Sequence, residues 1–304
     1  MQRLKKFLMR IKRRYSLDQS PLYKLESKKR LAQLLSFDIR TFQEIVSPNN
    51  YHVFLNEQGR VIQYPTGVLK AIHSRIGSLL KRVELPDYVH SKKGRSYISN
   101  ALAHPANIPL AKTDISKFYP STSFSTVFSL FHQVFQCSKD VAWQLGKLCC
   151  YRDHLPTGSP ISGYVAFLAH QGLFDQIHDL AATNGCKMTL LVDDISLSGS
   201  MATKKLLYTV RGIIHHHGLA VKEAKSKTFP TDRPRTITGV VVTKLGLRVP
   251  NQRLLNIHNA RAALRSETKP EKRDSLSKSL CGRLQEAKNI LAANLVTRGV
   301  SSSG

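Results

Sequence analysis

The chain has 304 residues, enough for one large hydrophobic core or two to three small lobes. Its 46 Lys and Arg against 20 Asp and Glu leave a formal charge of +26 at pH 7, more than solubility requires, which points to a polyanionic partner. Its longest apolar stretches, such as the one around Val165–Ala169, fall short of the roughly 20 residues a bilayer span needs, and this argues against a membrane protein.

Five cysteines (Cys137, Cys149, Cys150, Cys186, Cys281) are odd in number and show no C-x-x-C spacing, so free thiols in a reducing compartment are expected. Met1–Arg14 is basic but lacks the long apolar region of a secretion signal. A cytoplasmic protein is the resulting expectation.

In chain order, residues 1–30 carry 11 Lys or Arg against only Asp18 and Glu26. Leu4, Phe7, Leu8 and Ile11 recur at helical spacing, so Arg3–Tyr15 reads as an amphipathic basic helix, either a solvated arm or one that binds phosphates. Tyr51–Leu55 and Arg60–Tyr64 flank the turn-forming Asn56-Glu57-Gln58-Gly59 and read as a β-hairpin. Pro65-Thr66-Gly67 closes it, and a helix is expected from Val68 to Lys81. Ile108–Asp114 and Met188–Val192 are short apolar runs that each end in aspartate and read as strands.

Residues 124–150 and 160–183 read as helices. Thr236–Val242 with Leu247–Pro250 reads as another hairpin, turning at Lys244–Gly246. From Asn251 onward, Leu254, Ile257, Ala260 and Leu264, then Leu280, Leu284, Ala287 and Leu291, recur at helical spacing and predict two or three amphipathic helices. Ten basic residues over 251–298, Arg283 among them, outnumber four acids there. Ser301–Gly304 reads as a disordered tail. Without repeats or low-complexity linkers, the pattern predicts an α+β body.

The chemistry lies in the acids. Leu190-Leu191-Val192-Asp193-Asp194 sets two adjacent carboxylates at the tip of an apolar strand, and Ile195-Ser196-Leu197 resumes the alternation. Unpaired carboxylates are costly in a core, and a hard cation offsets that cost. A solvated hairpin tip accounts equally well for an isolated Asp-Asp pair. Lys112-Thr113-Asp114-Ile115-Ser116-Lys117-Phe118-Tyr119-Pro120 supplies a second acidic strand end. Two such centres in one sheet could hold two Mg²⁺ ions roughly 3.5–4 Å apart, an arrangement that activates a 3′-hydroxyl and stabilises a leaving pyrophosphate. Phosphoryl transfer on a polyanion would also account for the basic charge. His215-His216-His217 is not read as a metal site, because neighbours on a helix point in different directions.

Six ordered elements resemble the reverse transcriptases, and within them the bacterial retron-type enzymes, over residues 30–298. Asp114 with Phe118-Tyr119 is similar to the first metal motif, Leu155-Pro156-Thr157-Gly158-Ser159-Pro160 to the Leu-Pro-x-Gly-x-Pro turn, and Val192-Asp193-Asp194 stands where Tyr-Ala-Asp-Asp is usual. Arg60-x-Ile62-x-x-Pro65, Asn100-Ala101-Leu102-Ala103-His104 and Ile237-Thr238-Gly239 resemble further family elements. The resemblance implies a right-hand polymerase architecture with a basic arm at 1–30 and fingers at 31–112. A palm with an antiparallel sheet would follow at 113–250, finger helices being inserted at 124–155, and then a helical thumb at 251–300.

Site roles follow from the same resemblance. Asp114, Asp193 and Asp194 would hold two Mg²⁺ ions, with Mn²⁺ able to substitute. Asp114 and Asp193 would be the direct ligands, Asp194 either a ligand or a partner behind them, and the Ile115 carbonyl would complete the set. Tyr119 would exclude a 2′-hydroxyl unless it is simply a core tyrosine. Arg60 would grip the triphosphate of a deoxynucleotide unless it is an ordinary exposed hairpin arginine, and Gly158 would admit template and nucleotide to the backbone. A lysine at 225–227 would protonate pyrophosphate, and Lys227, followed by Thr228, fits better than Lys225. Asn100 and His104, spaced for one helical face, and Arg283 would contact RNA, His104 alternatively capping a helix.

The implied function is RNA-directed DNA synthesis on a structured non-coding RNA serving as template and primer, yielding an RNA–DNA product. A separate effector protein and an anti-phage role are part of the same implication. A polymerase-like RNA-binding scaffold, or a polymerase making an untemplated or other product, are the alternatives. Thr157 in place of glutamine, Gly163 in place of proline and Leu191-Val192 in place of Tyr-Ala depart from the family pattern, and Asn56 stands near a usual finger lysine. None of these removes an acid.

Overall fold

The structure, a computed structural model, describes residues 14–300, with side chains through residue 295. The expected arm helix lies outside the described residues apart from Arg14 and Tyr15, and Tyr15 forms a short parallel bridge with Val83 rather than helix. The tail Ser301–Gly304 also lies outside them. Two compact units share the chain discontinuously. One holds residues up to Asp87 with Ile115–Gln176 and Ile214–Ala220, and the other holds Tyr88–Asp114, Ile177–Ile213 and the chain from Val221 onward.

In the first unit, β1 (Tyr51–Leu55) and β2 (Val61–Pro65) form the expected hairpin. The Asn56 side chain shapes its turn by accepting from the backbone N–H groups of Gln58 and Arg60. The following helix, Gly67–Leu80, buries Leu69, Ile72, His73, Ile76 and Leu80, a stripe with helical period.

The helix expected over 124–150 is broken. A helix at Phe124–Ser129 runs into a π turn at Leu130–Val134, and a new helix begins at Lys139. Gln136 adopts a left-handed backbone (φ 55°), and the Ser138 hydroxyl caps the new helix by accepting from Val141 N–H. Similarly, 160–183 forms two helices, Ser162–Ala169 and Gln171–Thr183, separated at His170.

The second unit is built on an antiparallel sheet of β3 (Leu110–Asp114), β4 (Lys187–Leu191), β5 (Asp194–Ser198) and β6 (Lys227–Phe229), in the order β4-β5-β3-β6. Outside β4, Val89 bridges Leu190 in parallel, so the outer edge is partly covered.

A second sheet contains β7 (Arg235–Ile237), β8 (Val240–Thr243) and β9 (Gly246–Arg248). The single strand expected over Thr236–Val242 is therefore two strands, because Thr238 and Gly239 both take positive φ (45° and 79°) and turn the chain. Ile237, Val240, Val242, Leu247 and Ile290 pack with Ala101 and Leu110 in one apolar cluster.

The C-terminal region is two helices, Asn251–Ser266 and Pro270–Val300. The expected apolar stripe is only partly buried. Ile257 and Leu280 are covered, whereas Leu254 and Leu291 are exposed.

The fold is thus α+β with antiparallel sheets, as expected. Among the described residues no helix is long and apolar enough to cross a membrane. The five thiols are free, and only Cys281 is exposed.

Candidate active site

Backbone pairing alone gathers the three acids. β3 and β5 run in a register that sets Asp114 opposite Asp194, and the β4–β5 pair closes through Val192 and Asp193 immediately beside it. Both acidic strand ends therefore meet at one end of one sheet. The two-residue turn needs a positive φ, which Val192 supplies at 63°. A β-branched residue adopts that conformation only where the surrounding structure holds it.

Packing three carboxylates here disturbs their chemistry. Burial, reinforced by the charge of Asp114 and to a lesser extent Asp194, pushes Asp193 up to about 6, against the opposing pull of Lys225 and a backbone hydrogen bond. Asp194 is also raised, first by burial and then by Asp114, with Lys112, Lys225 and a bond from Ser196 opposing. Asp114 is 4% exposed, and its Oδ2 accepts from Lys225 Nζ at 2.5 Å. Burial disfavours the Lys225 ammonium, but the bond to Asp114 and the field of the three acids outweigh it and raise its pKa.

Lys225, not Lys227, is therefore the lysine at the acids. The segment is anchored by Lys222 N–H donating to the Asp114 carbonyl at 2.7 Å, which delivers Lys225 from the turn Glu223–Lys225. Lys227 is exposed on β6 and paired with Lys112, two residues along β3 from Asp114.

In donor chemistry the three carboxylates suit hard divalent cations, since they concentrate more negative charge than Lys225 offsets. Among the described residues, no three Asp, Glu, His or Cys side chains stand together as a metal-holding group.

The expected nucleotide residues lie in the first unit. Arg60 is exposed at the end of the hairpin turn, Ile115 is buried and Tyr119 is half-buried. The Tyr119 hydroxyl stands 3.4 Å from where a Cβ on Gly163 would lie. Gly158 has φ 115°, and a Cβ there would come within 2.7 Å of Ile62 Cγ2, so the close backbone approach it permits is to β2. The same turn is held by Gln63, whose N–H donates to the Thr157 carbonyl at 2.6 Å while its Oε1 accepts from Thr157 N–H at 2.7 Å. His73 completes the grip, with Nδ1 2.7 Å from Ser159 Oγ and Nε2 2.6 Å from the Leu148 carbonyl. Burial holds its pKa down at about 4. Sequence reasoning missed Gln63 and His73, although a histidine interrupting the stripe Leu69, Ile72, Ile76 was a readable signal.

Two of the three expected RNA contacts are corrected. Asn100 and His104 are both 0% exposed and cannot meet an RNA as they stand. The helix Tyr97–Leu102 ends before His104, whose imidazole binds Ser198 and Thr189 inside the second unit. Arg283 is exposed on the long C-terminal helix.

No protein-family model matches the chain. It is 30% identical over 178 residues to the retron Se72 reverse transcriptase of Salmonella heidelberg, covering 56% of this chain and 47% of that protein. It is 29% identical over 189 residues to the retron Ec86 reverse transcriptase of Escherichia coli, covering 61% and 59%. The chain resembles the retron reverse transcriptases. The retron Ec48 reverse transcriptase of Escherichia coli matches over 84% of this chain and 60% of its own length, at 23% identity. The chain thus spans 47% to 60% of the length of these retron relatives. Among solved structures, telomerase from Candida albicans in complex with a fragment of telomeric RNA aligns at a TM-score of 0.47 and 11% identity, covering 81% of this chain and 56% of that one. Apo telomerase from Candida tropicalis aligns at a TM-score of 0.47 and 13% identity, covering 67% and 56%.

Proposed function

We propose that the protein is an RNA-directed DNA polymerase that copies a structured non-coding RNA into DNA, with that RNA also supplying the primer. The observation that carries this reading is the register of Asp114 with Asp194, with Asp193 in the adjoining turn, in a chain similar to retron reverse transcriptases. Asp114, Asp193 and Asp194 would hold the divalent cations, Mg²⁺ or its substitute Mn²⁺. Bound there, these ions would lower the pKa of a primer 3′-hydroxyl and neutralise charge on a triphosphate.

The side chains have their own tasks. The raised pKa values of Asp193 and Asp194 come first from burial and then from the neighbouring carboxylate charge, and a bound cation would offset both costs. Lys225 keeps its proton in this field and would donate it from Nζ to a leaving pyrophosphate. Lys112, on the same face of the sheet as Asp114 and Asp194, directs its Nζ to the Thr236 carbonyl and adds positive charge beside the acids. In the first unit, Arg60, Tyr119 and the turn around Gly158 are the proposed deoxynucleotide contacts.

Basic side chains supply phosphate affinity. Arg261, Arg265, Lys269, Lys272 and Arg283 are exposed on or between the two C-terminal helices and suit recognition of an A-form duplex by its backbone. The division into arm, fingers, palm and thumb is proposed on the motif order. A bacterial cytoplasmic setting, anti-phage defence and a separate effector protein rest on the retron resemblance and, for the setting, on the free thiols.

The test is to sequence nucleic acid that co-purifies with the wild type and with Asp193→Ala/Asp194→Ala. A discrete DNA joined to or templated by one abundant RNA, absent from the variant, is the expected result. Bound RNA without DNA in both samples would replace the polymerase reading with an RNA-binding scaffold.

A further inference from the structure

We infer that His104 is a positioning residue for the acidic turn, its imidazole tying β4 to β5 through Thr189 and Ser198 and so fixing where Asp193 and Asp194 lie. This rests on the polymerase reading of the same site.

β5 reads Asp-Ile-Ser-Leu-Ser, an alternation that ordinarily marks a strand with one wet face. Yet Ile195 through Ser198 are all buried. The register puts Asp194, Ser196 and Ser198 on one face with Leu191, Thr189 and Lys187 of β4. Thr189, Ser196 and Ser198 are each no more than 2% exposed, so three hydroxyls occupy core positions that apolar side chains would fill at lower cost.

His104 is what satisfies two of them. Its Nδ1 lies 2.7 Å from Ser198 Oγ and its Nε2 2.6 Å from Thr189 Oγ1, so one ring joins both strands. A neutral imidazole has one donor and one acceptor nitrogen, so the two hydroxyls must take opposite roles and the row has a fixed sense. The polar row continues to the acid. Thr189 faces Ser196, and the Ser196 hydroxyl donates to Asp194 Oδ1 at 3.4 Å.

The imidazole is itself held. His104 N–H donates to the Ala101 carbonyl at the end of the helix Tyr97–Leu102. That helix is tied back to β4 through Ser99 Oγ, 2.9 Å from His90 Nδ1, while His90 N–H donates to the Leu190 carbonyl at 2.7 Å. The segment 88–104 thus grips the hairpin at Leu190, Thr189 and Ser198. Such a grip is what the turn requires, since a valine at φ 63° persists only when its surroundings over-determine it.

The test uses the full chain, with poly(rA)/oligo(dT) as template and primer and dTTP as substrate. His104→Ala should lower kcat by about 10- to 100-fold, because small misplacements of a reacting centre carry penalties of that size. KM for dTTP and affinity for poly(rA)/oligo(dT) should stay within about 3-fold, and amide exchange should accelerate over residues 187–198. His104→Gln, whose amide can reach one hydroxyl, should recover part of kcat. A glutamine variant no better than alanine would reduce the effect to lost packing and overturn the role.

Thr189→Val and Ser198→Ala are milder and remain informative should His104→Ala fail to fold. Each should lower kcat and loosen the same segment, and two folded variants with wild-type kcat would overturn the inference. Lost affinity for poly(rA)/oligo(dT) with kcat intact would return His104 to nucleic-acid binding. If the wild type makes no DNA, the polymerase reading fails by itself. The exchange measurement then decides the brace independently, and unchanged exchange over 187–198 in all variants would end it.

Discussion

The chain builds two antiparallel hairpins with five-residue strands and dresses them in opposite ways. In β1–β2, Val53, Phe54, Leu55 and Val61 are 42% to 67% exposed, and the strands are joined by Asn56–Arg60. In β4–β5, Thr189, Ser196 and Ser198 are buried, and the connection is only Val192 and Asp193. Apolar groups outside and hydroxyls inside invert the ordinary partition twice. The inversion in β4–β5 accompanies the acidic turn, whereas the one in β1–β2 leaves apolar side chains facing outward.

The sharpest way to break this comparison is at the turn. If the acids hold the proposed metal ions, Asp194→Asn should reduce DNA synthesis by about 10³-fold or more, while far-ultraviolet circular dichroism stays unchanged. An active, folded Asp194→Asn would show that the buried hairpin is structural only. Next in size is the lysine pair. Lys225→Ala should slow single-turnover incorporation by about 10²-fold, a usual scale for losing a general acid, with Lys227→Ala close to wild type. Equal effects from the two would contradict the placement of Lys225 on Asp114.

A smaller effect should appear in the pH dependence of stability. An acid whose folded-state pKa lies above its unfolded value binds its proton more tightly when folded. The resulting stabilisation is complete below the unfolded value of 3.8 and is lost as pH rises through about 6. With chelator present, the wild type should therefore lose on the order of 1 kcal/mol between pH 4 and pH 7 from this group, after solvent screening. Asp193→Asn should flatten that part of the melting-temperature profile. An unchanged profile would mean that the turn is open to water like an ordinary hairpin tip. Smallest of all, Leu55→Ser should move urea-unfolding stability by no more than about 0.5 kcal/mol, as for other exposed sites. A loss well beyond that would mean that β1–β2 is covered in solution and that the contrast between the hairpins is false.

Much of this was legible in the residues. The β1–β2 hairpin was marked by Asn56–Gly59 and the first long helix by its apolar period, and the aspartate-terminated runs gave β3 and β4 to within two residues. The break near Gln136 was not, because a continuous apolar period across 124–150 conceals a single residue at positive φ. The lysine was misplaced because Lys225 and Lys227 are equivalent as a charge pattern. The two candidates separate only through the bond that anchors Lys222 to Asp114.

The sequence by itself determined the acids, their attachment to strand ends, the basic charge and the α+β pattern, since composition and short-range period encode all of these. Only the tertiary structure decided that Asp114 faces Asp194, that Lys225 reaches them and that Asn100 and His104 lie inside. Strand register and burial depend on partners distant along the chain. His104 meets Thr189 and Ser198 across 85 and 94 residues, a separation at which no local spacing carries information.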